Sequence, residues 1–425
     1  MTTLNLENLL TEDESRYIPF PSRRSVVHST KGIIASTQPL ANEAGYKILA
    51  KGGNAADAAV AVAAALNVTG TSLMHVTEKN RLAQVSDPGC ATELGIGGDM
   101  FLLYYEAKTK KVHGLNGSGR APANLSIAKL RKKGFRGDRI PMSNINAVTV
   151  PGAAAGWLTT VENFGSGKLS MEEILTPAIE LAENGFPVSE LTATGWLVCE
   201  DALKSASPNG HELLKNGRAP ETGEVFRNPT LAETFRTVAR EGHKGFYQGR
   251  IAKEIVDLIQ SLGGEMTLED LKNHRTDTVE PITINYKGLD IWECPPNGQG
   301  IVALMALGIL EALQESKRIP PISKMKHNSA EYLHVLIEAL RLAFADAIWH
   351  VTDPEHSPTP EHLLSKSYLA GRAKLFNPHK QLPRIYRGEP IALSDTVYFS
   401  VTDQGGNAAS FINSNFGGFG SAAVP

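Results

Sequence analysis

The residue with the clearest chemical potential is Thr396, because a run of alternating side chains follows it. Val397, Phe399 and Val401 are apolar, and each residue between them carries a hydroxyl group. Such alternation is typical of a half-buried β-strand, so the sheet would hold a hydroxyl at the mouth of this strand rigidly. A β-branched residue that only packs in a sheet gives the same pattern, so Thr396 alone does not predict catalysis.

A second strand is predicted directly after the first. Asp403 to Asn407 is polar and contains glycine, which is typical of a tight turn, and Ala408 to Ser414 is again β-like. Strand, turn and strand together predict a hairpin with Thr396 at its start and Ser414 at its end.

Helices and strands alternate through the earlier part of the chain. Asn54 is a suitable N-cap for an alanine-rich helix from Ala55 to Leu66, whose small side chains predict close packing against a sheet. The glycine run Gly95-Ile96-Gly97-Gly98 leads into a strand from Met100 to Tyr105. Two further predicted elements are a helix over 121–135 and a strand over 147–152.

Composition excludes several functional classes. The chain has 425 residues, and its 42 Lys+Arg against 45 Asp+Glu leave a net charge of −3, which does not predict nucleic-acid binding. Cys90, Cys199 and Cys294 are far apart and form no CxxC pair, so neither a zinc site nor a disulfide framework is predicted. The sequence shows no signal peptide and no apolar span of membrane length, so we expect a cytoplasmic protein that does not bind membranes.

Several short motifs follow one another along the chain. They are Gly53-Asn54-Ala55-Ala56-Asp57-Ala58-Ala59, Gly95-Ile96-Gly97-Gly98, Pro295-Pro296-Asn297-Gly298-Gln299-Gly300, Ser329-Ala330-Glu331-Tyr332-Leu333-His334 and Asp395-Thr396. In type and order they resemble the gamma-glutamyltranspeptidases, over roughly residues 30–425. The resemblance implies an α+β fold, the αββα sandwich of N-terminal-nucleophile hydrolases, incomplete here at its C-terminus. It also implies a proenzyme that cuts itself between Asp395 and Thr396.

On this resemblance we expect three regions: a flexible N-terminal segment over 1–29, a large-subunit region over 30–395, and the start of a small subunit over 396–425. The family's small subunit also supplies sheet strands, an acidic residue for the substrate amine and the oxyanion hole. We expect this chain to lack them, and therefore to be inactive or poorly folded by itself. A polar segment over 70–86 looks inserted relative to the family.

The resemblance gives Thr396 the role of nucleophile. Its hydroxyl would attack the preceding carbonyl, and hydrolysis of the resulting ester would free an N-terminal amine. With an ordinary pKa of about 7.7–8.0, this amine would act as the general base. The donor would be a γ-glutamyl amide such as glutathione, and water or an amine would accept the acyl group. No metal or organic cofactor is implied, because the protein supplies both nucleophile and base.

The resemblance also implies substrate-binding residues. Ser414 lies where the family has a hydroxyl that orients the nucleophile, and either Asn413 or Asn415 would offer an amide to the substrate's amino end. The family's carboxylate-binding arginine falls on Ser118, and Arg120 follows two residues later. Arg120 would hold the carboxylate from this neighbouring position, or the acyl group would differ, as in the cephalosporin-acylase-like branch, which shares this Gly-Ser-Gly-Arg pattern.

Two classes of function stay open from the sequence. The first is a self-processing γ-glutamyl hydrolase and transferase, or a related glutaryl or cephalosporin-type amide acylase. The second is a non-catalytic pseudoenzyme that keeps the family's scaffold and binds at most a ligand or partner.

Overall fold

The computed structural model describes residues 26–70, 95–137, 140–141, 144–356, 361–382, 397–415, 421 and 423–425. Asp395, Thr396, and most of the segments over 1–29 and 70–86 lie outside the described residues. The described chain forms one six-stranded antiparallel sheet, two small two-stranded sheets, and helices that pack on one face of the large sheet.

Helices and strands alternate along the described chain. The strands are β1 (Gly32–Ala35), β2 (Asp99–Glu106), β3 (Lys111–Gly117), β4 (Phe186–Pro187), β5 (Val225–Phe226), β6 (Asp277–Val279), β7 (Ile282–Tyr286), β8 (Leu289–Glu293), β9 (Val397–Asp403) and β10 (Ala408–Ser414). The helices are α1 (Pro39–Ala50), α2 (Ala55–Thr69), α3 (Ile127–Lys132), α4 (Ala153–Phe164), α5 (Met171–Asn184), α6 (Glu190–Ala206), α7 (Pro229–Tyr247), α8 (Arg250–Ser261), α9 (Leu268–Lys272), α10 (Ile301–Glu315), α11 (Ala330–His350) and α12 (Lys366–Ala373). Within the described ranges, no helix combines the length and apolar character needed to cross a bilayer.

The C-terminal hairpin lies inside the large sheet and not at its edge. The strand order is β1-β9-β10-β2-β3-β6, so strands from the first third of the chain flank β9 and β10. Asn413 of β10 pairs with Val397 on one side, and Ser414 pairs with Asp99 on the other. The start of β9, the end of β10 and the start of β2 therefore meet at one end of the sheet.

One face of the large sheet is buried and the other is open. Phe399, Phe411, Leu102 and Leu115 are fully buried under the helices, and the two phenylalanine rings stack with their centroids 5.0 Å apart. The alternate positions face the other side, where Tyr398 is 54% exposed. The predicted alternation in β9 is confirmed, and its polar side chains belong to the open face.

Helix α2 is buried on nearly all sides because alanine and valine make up most of it. Asn54 forms the predicted cap, as half of a capping box with Asp57. A further acceptor comes from the hairpin: Asp403 Oδ2 accepts the backbone N–H of Ala55 at 3.0 Å. Asp403 also accepts the backbone and side-chain N–H groups of Asn407, which closes the turn between β9 and β10. One carboxylate thus joins the hairpin to a helix 348 residues away.

Buried side chains form two clusters. The larger cluster contains α2 and the buried face of the large sheet, and the smaller one lies between α10, α11 and α12. The Pro295–Gly300 motif leads from β8 directly into α10, whose buried side chains belong to the smaller cluster.

Two predicted elements were wrong in extent or type. The helix expected over 121–135 covers only Ile127–Lys132. The strand expected over 147–152 pairs with no strand of the described chain, although Val150 N–H donates to the Arg120 carbonyl at 2.9 Å. The apolar alternation there buries Val150 as an extended connector, and not as part of a sheet.

Asp403→Ala is expected to destabilise the protein, because it removes an acceptor at the N-terminus of α2 and the bonds that close the hairpin turn. Losing a comparable cap costs roughly 1–2 kcal/mol. Denaturant unfolding of the variant measures this difference. Asp257→Ala, which removes a carboxylate that is 58% exposed on α8, is the control and should cost less than about 0.5 kcal/mol. Equal losses in both variants would contradict the role given to Asp403.

Candidate active site

Strand ends and loops meet at the end of the large sheet where the sequence placed its candidate residues. Ser414, the last residue of β10, pairs with Asp99 at the start of β2. The Gly119 N–H donates to Asp99 Oδ1 at 2.7 Å, which brings the loop after β3 to the same place. Arg120 follows Gly119 directly. Those candidates that the structure describes therefore lie in one region.

Glycines let the backbone segments of this region approach closely. A Cβ atom on Gly98 would lie 2.3 Å from both Asn415 Oδ1 and the Ser414 carbonyl oxygen. A Cβ on Gly152 would lie 2.0 Å from the Gly117 carbonyl oxygen. The Gly98 carbonyl accepts the N–H of Gly152 at 2.9 Å. The glycine run thus positions β10 against the segment that begins α4.

Asn413 has a structural role, whereas Asn415 stays a predicted ligand. The Asn413 side chain is fully buried; its Oδ1 accepts from Trp157 Nε1 at 3.0 Å and its Nδ2 donates to the Asp99 carbonyl at 2.9 Å. Since alternate residues of a strand face opposite sides, Asn413 faces the core and Ser414 faces the open side. The Ser414 hydroxyl donates to the Asn415 carbonyl at 2.8 Å. Of the two asparagines that the sequence left open, Asn413 is therefore already occupied.

A cavity of about 810 Å³ opens beside this end of the sheet. Its polar lining includes Asn116, Ser118, Arg120 and Asn297, and Ile301 of α10 adds apolar surface. Asn116 pairs with Phe101 of β2, on the face opposite to the buried row of the sheet. The cavity therefore lies on the open face of the large sheet, and residues of β3 and of α10 line it.

Arg120 is partly exposed and already binds one carboxylate. Its Nη2 lies 2.6 Å from Asp277 Oδ2, and its Nη1 donates to the Arg275 carbonyl at 3.2 Å. The Nε of Arg275 lies 3.1 Å from the other Asp277 oxygen. A guanidinium group has five N–H donors, so these two contacts hold Arg120 in place and leave donors for an anionic ligand.

His274 lies beside Arg120 within the core and is uncharged at neutral pH. Burial, together with the smaller effect of the positive charge on Arg120, lowers the pKa of His274 to about 4. The ring stacks on Tyr247, with 5.3 Å between centroids, and the Tyr247 hydroxyl donates to the Pro151 carbonyl at 2.7 Å. His274 therefore packs behind the cavity without adding a second positive charge.

Sequence reasoning did not assign roles to Asp99, Asp277 or Asn297. Asp99 directly follows the glycine run, and Asn297 belongs to a motif of the family resemblance. The sequence therefore contained a signal that could have identified both residues. Asp277 is 157 residues from its partner Arg120, and no sequence pattern links the two.

Gly98→Ala is expected to destabilise the protein, because the new methyl group would collide with backbone and side-chain atoms at the end of β10. Overpacking of this kind is expected to cost about 1–3 kcal/mol of stability. Gly97→Ala is the matched control, since no atom lies within 4 Å of a Cβ at Gly97. Denaturant unfolding compares the two variants. If Gly97→Ala proved the more damaging, the packing role of Gly98 would be refuted.

The stability contributed by Asp99 should depend on pH. Burial raises the pKa of Asp99 from 3.8 to about 6, against the opposing effect of the Gly119 hydrogen bond. The folded protein thus holds this proton more tightly than the unfolded chain, so Asp99 lowers stability as pH rises through this range. Asp99→Asn removes the titration, and its Tm relative to that of the parent should rise between pH 4 and pH 7. A difference in Tm that does not change with pH would argue against this assignment.

Known proteins share both the sequence and the fold. The sequence model of the Gamma-glutamyltranspeptidase family matches residues 90–425. The chain is 36% identical over 403 residues to the glutathione hydrolase-like YwrD proenzyme of Bacillus subtilis (strain 168), covering 94% of this chain and 70% of that protein. It is 31% identical over 404 residues to the glutathione hydrolase proenzyme of the same strain, covering 89% of this chain and 63% of that protein.

A solved structure gives the same result. The crystal structure of cephalosporin acylase from Bacillus halodurans matches with a TM-score of 0.79 and 38% identity, over 96% of this chain and 70% of that chain. The chain therefore spans 63–70% of the length of these three relatives. The predicted α+β class, with the fold of the N-terminal-nucleophile hydrolases, is confirmed. The chain belongs to the gamma-glutamyltranspeptidase family.

Proposed function

We propose that the protein is a self-processing amide hydrolase and acyltransferase that uses Thr396 as its nucleophile. The register of the C-terminal hairpin carries this proposal. The described part of β9 begins at Val397, which pairs with Asn413, and Ser414 is the last residue of β10. In the sequence, Thr396 directly precedes this strand. Ser414 faces the open side of the sheet, and the cavity lies on that same side.

The same register supports a connection to Arg120. Met100 pairs with Gly117, so one further step would place Asp99 beside Ser118, two residues before Arg120. Ser414, Asp99 and Ser118 would then share one row across three strands. Neighbouring strands are about 4.8 Å apart, so the backbones of Ser414 and Ser118 would be roughly 10 Å apart. Two side chains and a short dicarboxylic acyl group between them would bridge this distance.

Self-processing uses the chemistry of the Asp395–Thr396 bond. The Thr396 hydroxyl oxygen adds to the Asp395 carbonyl, and the peptide nitrogen leaves with the hydroxyl's proton, which converts the amide into an ester. Water then hydrolyses the ester, leaving a carboxylate on Asp395 and a free amine on Thr396. The products correspond to the large and small subunits of one precursor.

The freed amine serves the reaction with substrate. It removes the hydroxyl proton as the oxygen adds to the substrate amide, and it returns that proton to the leaving amine. The acyl group is then an ester on Thr396, which water or an incoming amine cleaves. Ser414 orients the nucleophile, and Asn415 offers its amide to the amino end of the substrate.

Arg120 supports an acyl donor with a carboxylate at its far end. Arg120 lines a cavity that is large enough for such a group. We favour γ-glutamyl amides such as glutathione, which the name of the Bacillus subtilis glutathione hydrolase gives as the substrate of that relative. Glutaryl amides are the second candidate, because Ser118 occupies the position where the γ-glutamyl enzymes would have arginine.

Thr396→Ala is expected to abolish both cleavage and turnover, because it removes the hydroxyl from both reactions. Denaturing gels and mass spectrometry of the protein expressed from its native gene should show a break before Thr396 in the parent and an intact chain in the variant. Thr396→Ser keeps the hydroxyl without β-branching, so it should still cleave, but more slowly.

Release of a chromogenic amine from γ-glutamyl-anilide and glutaryl-anilide identifies the acyl group. The proposal fails if the parent chain stays intact and turns over neither anilide.

A further inference from the structure

Three side chains on the wall of the cavity form hydrogen bonds whose direction is fixed. The backbone N–H of Ser118 donates to Asn116 Oδ1 at 3.0 Å. A backbone N–H can only donate, so this side of the Asn116 amide must be its oxygen. The Nδ2 group of Asn116 then faces Asn297 and donates to its Oδ1 at 2.8 Å.

The orientation of the Asn297 amide in turn determines the orientation of the Ser118 hydroxyl. Because Asn116 occupies the oxygen of Asn297, the Nδ2 group of Asn297 is the part that faces Ser118, and it donates to the Oγ atom at 2.9 Å. The Ser118 hydroxyl is therefore an acceptor in this bond, and its own hydrogen must point elsewhere. With the residues that the structure describes, this hydroxyl makes no hydrogen bond as a donor.

We propose that Ser118 is a specificity-determining residue, which donates its hydroxyl hydrogen to the terminal carboxylate of the acyl group. Asn297 is the positioning residue. Because its Nδ2 group donates to the Ser118 oxygen, the hydroxyl hydrogen must point away from Asn297. The inference rests on the proposed function and narrows its substrates to amides of short dicarboxylic acids. Ser118 and Arg120 line the same cavity, so one carboxylate would accept bonds from the hydroxyl and from the guanidinium group.

Asn297→Asp tests the direction of the hydrogen bonds that run from Asn116 through Asn297 to Ser118. The new carboxylate has no N–H group, so the Ser118 hydroxyl would turn and donate to it, and the wall would gain a negative charge beside Arg120. Asn297→Ala only releases the hydroxyl to rotate. If these hydrogen bonds only held the segment containing Asn297 against β3, the two variants would have equal effects.

Kinetics with matched donors separate recognition from a structural role. Ser118→Ala should raise KM for glutaryl-anilide by about 10-fold or more, as expected for a lost hydrogen bond to a charged group, and should leave kcat nearly unchanged. Pentanoyl-anilide, which has the same chain length without the terminal carboxylate, should be unaffected. Asn297→Asp should raise KM for glutaryl-anilide more than Asn297→Ala does, and Ser118→Thr, which keeps the hydroxyl, should stay near the parent.

Calorimetric binding of glutarate, the acid released from glutaryl-anilide, tests the inference without turnover. We expect the parent to bind glutarate, and Ser118→Ala and Asn297→Asp to weaken that binding by about 10-fold or more. A parent without cleavage or turnover that still binds glutarate in this Ser118-dependent way would refute the proposed function but not the inference. Equal KM changes for both anilides, or unchanged glutarate binding in Ser118→Ala, would overturn the inference.

Discussion

The site depends on the insertion of the C-terminal hairpin between two strands from the first third of the chain. Hydrophobic burial fixes its register, because a slip of one residue would turn Phe399 and Phe411 to the open face and Ser414 to the core. The carboxylate of Asp403 adds a directional constraint at the other end of the hairpin. It accepts from the N-terminus of α2, where the helix dipole also favours a negative charge.

The polar side chains of the cavity are held by neighbours from distant parts of the chain. Asp277 on β6 fixes the guanidinium of Arg120, and Asn297 on the turn before α10 fixes the hydroxyl of Ser118. Both contacts orient their partners before any ligand arrives, which lowers the entropy that binding must cost. Since His274 is neutral, Arg120 keeps its place without repulsion from behind.

Local patterns were sufficient to predict the hairpin, the cap of α2 and strand β2, because contacts close in sequence determine them. The expected strand over 147–152 was wrong, since apolar alternation shows which residues are buried but not whether a partner strand is present. Residue parity within β10 would have separated Asn413 from Ser414. The pairs Arg120–Asp277 and Ser118–Asn297 could not be predicted, because they join residues that only the tertiary fold brings together. The division of the chain at residue 395, and the cut itself, stay predictions.

The strand order has a mechanical consequence for a chain cut before Thr396. β9 would stay hydrogen-bonded to β1 and β10 to β2, so the hairpin would be clamped along both of its edges by the other product. Pulling the two pieces apart would require unzipping two ladders at once and exposing the stacked phenylalanines to water. The two chains would therefore stay associated as one folded protein. The cut would change the chemistry of a chain end and leave the fold unchanged.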